Sequence, residues 1–422
     1  MIARRFVFGC VLALLVASRL TPTFGQTAPV SVVTPAEAGF DPEKLSEIDA
    51  IVARGIEEKK MPGCVVAFGR QGKLAWLKAY GNKRVAEGDQ PAVAMTTDTV
   101  FDLASLTKPI ATGTSLMLLV EQGKVKLDEP VSTYLPAFIE TGDEAANEAK
   151  KKVTVRHLLI HTSGLIADNE IKDYADGAET AKKRLLALKL RTPVGENFVY
   201  SDVNFMTLGL LIEKVSGQNV HEFSQANIFR PLGMQETGYV PGKELRERAA
   251  PTQKRNDQWM QGEVHDPRAY KLNGIAGHAG LFSTANDLAK YASAMLNRGE
   301  YSGVKIMQPE TWKLMTTANP VPSRRNNGEK YEGQRGLSWD MRTGFSTNAG
   351  TARSAAAFGH GGFTGTVIWI DPEQDWFFIF LSNRVHPDGR QNMNPLAGEI
   401  ATLVSQARGK GQEVRGPGPA EK

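Results

Sequence analysis

Gly359–Arg384, GHGGFTGTVIWIDPEQDWFFIFLSNR, contains two apolar runs, TVIWID and WFFIFLSNR, separated by an Asp-Pro step. Short runs this rich in β-branched and aromatic residues read as buried strands, and the Asp-Pro turn joins them as an antiparallel pair. The glycine-rich GHGGFTG ahead of them reads as a strand end where other backbone can approach closely. Upstream, GLSWDM (336–341) adds another strand. Downstream, NPLAGEIATLVSQAR (394–408) has the apolar spacing of an amphipathic helix.

At the other end of the chain, GCVVAFGRQGKLAWLKAYGNKR (63–84) alternates apolar stretches around a Gly-centred turn, the pattern of a hairpin, and follows a predicted helix over 42–59. Between these ends the signal is mostly helical. A helix is predicted to open at Ser105 and run to Glu121, with Pro109 in its first turn, where a missing N–H is tolerated. Residues 243–270 show little periodicity and are expected to form a long surface loop bordering the site. The layout predicts an α/β fold: an antiparallel sheet flanked by terminal helices, built from 27–104 and 281–407, with a mainly helical domain, 105–280, inserted. Residues 408–422, all Gly, Pro and charge apart from a few, are expected to be a disordered tail.

The 422 residues carry 50 Lys+Arg against 46 Asp+Glu, and the small net charge of +4 is dispersed, which gives no support for a nucleic-acid partner. Arg4 and Arg5 precede the apolar run Phe6–Ala17, too short to span a bilayer and followed by polar, turn-rich sequence. Residues 1–26 therefore read as an export signal, with a periplasmic or secreted location and no stable membrane insertion after cleavage. Of the two cysteines, Cys10 lies in that leader, so only Cys64 remains. No internal disulfide can form, and a thiol inside GCVVAF reads as a small hydrophobe rather than a nucleophile.

Three segments could carry chemistry. Ser105 and Lys108, three apart at a helix start, place hydroxyl and amine on one face, and a desolvated lysine can be neutral enough to take the serine proton. Taken alone the pair also fits a helix cap with a solvated lysine. Tyr200 can relay a proton where cationic charge favours its phenolate, and Asp202 can orient Lys108 or hold a substrate amide; equally, Tyr200 can be a packing residue and Asp202 a cap. His360, Gly361 and Gly362 offer a strand edge and backbone donors to an acyl group, or simply a tight turn.

Together the three segments resemble the serine β-lactamase and penicillin-binding protein superfamily, and within it the exported class C-like branch with its D-alanyl-D-alanine carboxypeptidases and related esterases. FDLASLTKPIAT (101–112), GKVKLDEPVSTYLP (123–136), VTVRHLLIHTSGL (153–165), TPVGENFVYSDVNF (192–205) and IFRPLGM (228–234) are close to that branch's wording, over roughly residues 35 to 405. The resemblance implies a β-lactamase/transpeptidase-like fold and an exported serine hydrolase. Ser105 would be the acylated nucleophile, Lys108 and Tyr200 would share acid and base work, and the N–H groups of Ser105 and Phe363 would form an oxyanion hole.

His360 stands where the third motif commonly has lysine, and Asp202 where the second commonly has asparagine. Both departures weaken the expectation of antibiotic hydrolysis, since histidine is only partly charged near neutral pH and an acid repels an anionic substrate. VHDPRAYKLNGIAGHAGLFST (264–284) resembles a segment of carboxypeptidase-like members and raises His265, Asp266 and His278 as residues behind or at the lip of the site. Their spacing matches no metal motif, so neither metal nor cofactor is expected, and His157 and His161 read as structural. The implied substrates are D-alanyl peptides and other cell-wall amides, or small esters. The alternative is a non-catalytic cell-wall binding or sensor protein.

Overall fold

The computed structural model describes residues 30–408 except Asn326 and Arg390; the predicted signal, and all of the predicted tail beyond Arg408, lie outside the described residues. One sheet organises the molecule. Its strands run in the order Ser31–Val32, Lys73–Arg84, Gly63–Arg70, Trp376–Ser382, Thr366–Asp371, Phe358–Gly362, Asp340–Arg342, Lys330–Arg335, Asn319–Arg324. All neighbours are antiparallel except the short first strand, which lies parallel to Lys73–Leu74. The N-terminal hairpin joins the C-terminal one through the register Ser382↔Cys64 to Phe377↔Gly69, so both ends of the chain build the sheet centre.

Alternation sorts these strands into two cores. Phe377, Ile379 and Leu381 face the helix Ala285–Leu296 and the helical region. Trp376, Phe378 and Phe380, with Cys64, Val66 and Phe68, pack under Glu47–Glu57 and the terminal helix Asn394–Gln406. Both faces are covered, which is why the runs read as continuously apolar. Burial pushes the Cys64 thiol up, keeping it protonated and inert.

Several local expectations need correction. The predicted 42–59 helix breaks at Ser46 into Pro42–Leu45 and Glu47–Glu57. The segment at Ser105 does not open as a regular α-helix: a tight turn at Ala104–Leu106 leads into a widened turn, Lys108–Gly113, and regular helix begins only at Thr114. Gly113 is pressed against Ser338, whose Oγ would lie 2.1 Å from a Cβ there. The stretch 243–270 is not an unstructured loop. It contains the helix Lys243–Arg248 and a small hairpin, Lys254–Arg255 with Gln258–Trp259, and enters a further helix, Pro267–Lys271. No helix among the described residues is long and apolar enough to cross a membrane.

Candidate active site

The nucleophile candidate sits where the sheet meets the helical region. Thr364 Oγ1 donates to the Asp102 carbonyl (2.7 Å) and Thr366 Oγ1 to the Leu103 carbonyl (3.0 Å), clamping the turn before Ser105 against the turn after the His360 strand and the start of the next strand. A Cβ at Gly362 would lie 2.4 Å from the Leu103 carbonyl oxygen, so the close approach requires glycine there. Ser105, Tyr200, Asp202, His265, Asp266, His278, His360, Gly361, Gly362 and Phe363 all line one cavity of about 560 Å³.

Lys108 is fully buried beneath this cavity. Its Nζ donates to Ser105 Oγ at 2.9 Å and to the His278 carbonyl at 3.1 Å, and lies 2.6 Å from Asp202 Oδ1. Burial pushes the ammonium down, but the Asp202 carboxylate first, and the Tyr200 oxygen after it, outweigh burial and hold Lys108 above its ordinary value. The lysine is therefore a fixed cation, not the neutral amine that desolvation alone predicts. Asp202 opens the helix Asp202–Ser216, whose cap is Ser201, with Oγ accepting from Asn204 N–H at 3.2 Å. The cap is thus Ser201 rather than Asp202, leaving the carboxylate free for the lysine.

Tyr200 lies in a cage: its ring centroid is 5.0 Å from Lys108 Nζ, 4.6 Å from His161, 5.0 Å from Phe345 and 5.8 Å from His360. His161 Nδ1 accepts the Ser201 N–H at 3.0 Å, fixing the residue after Tyr200. Burial, then Arg335, Lys108 and His360, hold His161 neutral. His360 is also neutral: burial leads, with Arg335 and Lys108 adding to it against a bond to the Gly361 carbonyl. Because a carbonyl only accepts, His360 Nδ1 carries the proton in that 2.8 Å contact.

Opposite, Asp266 Oδ1 meets His278 Nε2 at 2.9 Å and accepts from the N–H groups of Arg268 (2.9 Å) and Ala269 (2.7 Å). His278 at first bears on Lys108 through its backbone carbonyl, not its ring. Asp202, Asp266 and His278 bring ligand atoms within 4.8 Å of one another, but these carboxylates already serve the Lys108 ammonium, the imidazole and a helix start. His265 lies further out, its Nε2 2.8 Å from Gln253 Oε1 and its ring stacked on exposed Phe363. His157 is structural, its Nδ1 closing a capping box with Thr154. Sequence reasoning missed Asp102, His161 as a support for Tyr200, and Arg335. This last guanidinium is fully buried and lies 3.6 Å from Asp340.

A Ser-x-x-Lys turn, a tyrosine-headed second segment and a glycine strand edge, converging between a sheet and a helical region, are the pattern of the serine-hydrolase superfamily of β-lactamases and penicillin-binding proteins. The chain matches the family described as Beta-lactamase over residues 48–402, and it belongs to that family, on the class C-like branch of the β-lactamase and penicillin-binding protein superfamily. It is 31% identical to the N-acetylmuramyl-L-alanine amidase of Bacillus subtilis (strain 168) over an alignment of 428 residues, covering 93% of this chain and 94% of that protein. An Escherichia coli (strain K12) protein, named provisionally as a D-alanyl-D-alanine carboxypeptidase, is 32% identical over 394 residues, covering 86% of this chain and 87% of its own. A penicillin-binding protein homolog from Caulobacter crescentus shares the fold at a TM-score of 0.68 and 20% identity, covering 87% of this chain and 99% of its own.

Proposed function

We propose that this protein hydrolyses cell-wall peptide amides or small esters through an acyl-enzyme on Ser105. The observation that carries the reading is the buried Lys108 ammonium, 2.9 Å from Ser105 Oγ and 2.6 Å from Asp202. Ser105 Oγ attacks the carbonyl carbon of the substrate. Lys108, already charged, cannot receive the hydroxyl proton. The Tyr200 hydroxyl, whose oxygen shares that ammonium, is the group left to relay it, accepting the serine proton as it gives its own proton to the departing amine or alcohol. The N–H groups of Ser105 and Phe363 hold the oxyanion, and water then releases the acyl group. The muramyl-amide activity in the name of the Bacillus relative favours cell-wall amides. The leader in residues 1–26 would carry the enzyme to the periplasm or outside the cell, where such bonds are.

The alternative, a binding or sensor protein without turnover, would have no use for a serine, a charged lysine and a tyrosine held this closely. A fluorophosphonate or fluorescent penicillin tests the choice. The probe is expected to label the folded protein and not Ser105→Ala; a folded protein that takes up neither probe sinks the hydrolase reading. Turnover of a muramyl-L-alanine amide, a D-Ala-D-Ala peptide and a short-chain nitrophenyl ester then ranks the substrates.

A further inference from the structure

Ala104, immediately before Ser105, has φ +45°, a left-handed conformation that a residue with a side chain adopts only when its surroundings impose it. Asp102 imposes it. Its side chain is almost fully buried, at 3% exposure. One carboxylate oxygen accepts the Ala104 N–H at 2.8 Å and the other accepts the His265 N–H at 2.7 Å. The strand Phe101–Asp102 pairs with Leu281–Ser283, so the carboxylate projects from a fixed backbone. His265 leads to Asp266, which holds His278, whose carbonyl accepts Lys108 Nζ at 3.1 Å. One buried side chain thus ties the turn that presents the serine to the segment that seats the lysine.

We infer that Asp102 is a positioning residue whose ionised carboxylate, by accepting both N–H groups, sets the Ser105 turn for attack, and that protonating it slows acylation. This rests on the reading of Ser105 as the nucleophile. A carboxylate accepts at both oxygens, whereas a carboxylic acid must point its O–H somewhere, and here one oxygen would face an N–H donor. Burial raises Asp102 to about 6, against the lowering effect of the His265 and Ala104 N–H groups. The charged groups facing it are Asp266, which raises it further, and Arg255, which lowers it; the Leu281–Ser283 strand and the Phe363–Thr364 turn present none. The neutral His265 imidazole lies on the same segment as its N–H partner.

The consequence for stability has the opposite sign. A carboxyl raised above its unfolded value binds its proton more tightly when folded, so stability falls as pH rises from about 4 through about 6. Asp102→Asn, which resembles the protonated form, is expected to fold at least as well as the native chain at pH 8 while reacting more slowly. A residue that only supported the fold would lose both together.

The experiment measures the rate of fluorophosphonate labelling of the full chain from pH 4.5 to 8.5, with melting temperature read alongside. The native protein is expected to lose rate about tenfold per pH unit below pH 6. Asp102→Asn is expected to react roughly 10- to 100-fold more slowly at pH 8, to lack that acid limb, and to melt no lower than the native chain. Native-like labelling of Asp102→Asn, persistence of the limb, or joint loss of rate and melting temperature would each overturn the assignment. A native chain that never labels would overturn Ser105 as nucleophile and the role of Asp102 with it; labelling with an unchanged profile overturns Asp102 alone.

Discussion

The two walls of the cleft differ in where they place charge. On the helical side, Lys108 pairs with Asp202 at 2.6 Å, Asp266 meets His278 at 2.9 Å and Asp168 lies 3.5 Å from Arg268. On the sheet side, His360 is held neutral beside Gly361, Gly362 and exposed Phe363, and the charge lining the cavity comes from Arg335, 3.6 Å from Asp340, and from Arg384, which lies over the Phe363 ring. The helical side sets a lysine and two carboxylates around Ser105, whereas the third-motif position on the sheet side is uncharged. In the related pattern the third motif itself adds a lysine to the sheet wall. Here the third-motif position supplies no cation of its own, and the guanidinium groups on the sheet side are those of Arg335 and Arg384.

Removing the nucleophile tests whether the charged wall serves chemistry at all. Ser105→Ala is expected to abolish probe labelling and lower kcat by about 10³-fold or more, with little change in the pairing beneath it; steady-state hydrolysis of the best ester checks this. Lys108→Met comes next. It leaves Asp202 without its partner, and a broken buried pair costs about 3–5 kcal/mol. Denaturant unfolding should show that loss, together with a drop in kcat of roughly 10²-fold or more. An active Lys108→Met protein would break the comparison, since the wall's charge would then be structural only.

Asp202→Asn is a gentler probe. The amide oxygen can still accept from Lys108, so about 1–2 kcal/mol of stability should be lost. The sign follows from the raised lysine: the stabilisation is present below the unfolded value near 10.5 and disappears only as pH rises through the folded one. The unfolding difference should therefore be constant between pH 7 and 9. Removing one negative charge from the cleft should also raise kcat/KM for a D-Ala-D-Ala peptide relative to its C-terminal amide, by about tenfold.

What could be read from the sequence depended on distance along the chain. Ser105 and Lys108 are three apart, and their contact follows from local geometry even though the turn proved wider than a regular helix. The strands of Gly359–Arg384 were legible because both faces are buried and the apolar runs are unbroken. Asn319–Arg324 was not, because Pro320 and Pro322 argue against a strand; they are tolerated on the sheet's last strand, where both lie exposed while Val321 and Ser323 are buried. The protonation of Lys108 depends on Asp202, 94 positions later, and the neutrality of His360 on burial and Arg335; no local pattern encodes either. Asp102 stood in plain view within FDLASLTK, but its significance comes from His265, 163 residues away.

The smallest expected effect concerns His360, and it tests the uncharged third-motif position directly. Its imidazole lies between the fields of Arg335 and Lys108 and is buried, so it stays uncharged as pH falls well below 6.5. Its Nδ1–H is committed to the Gly361 carbonyl at 2.8 Å, which leaves Nε2 with a lone pair rather than a charge. The ratio of kcat/KM for an ester with an anionic acyl group to that for its neutral analogue should therefore not change between pH 5.5 and 8. His360→Gln, an uncharged side chain of similar reach, should leave that ratio unaltered and lower each kcat/KM by less than about fivefold, the effect of one neutral hydrogen bond. A ratio that climbs toward acid pH in the native enzyme and flattens in His360→Gln would mean that the imidazole becomes a cation when substrate is bound. The third-motif position would then recognise charge, and its contrast with the lysine of the related pattern would be one of degree.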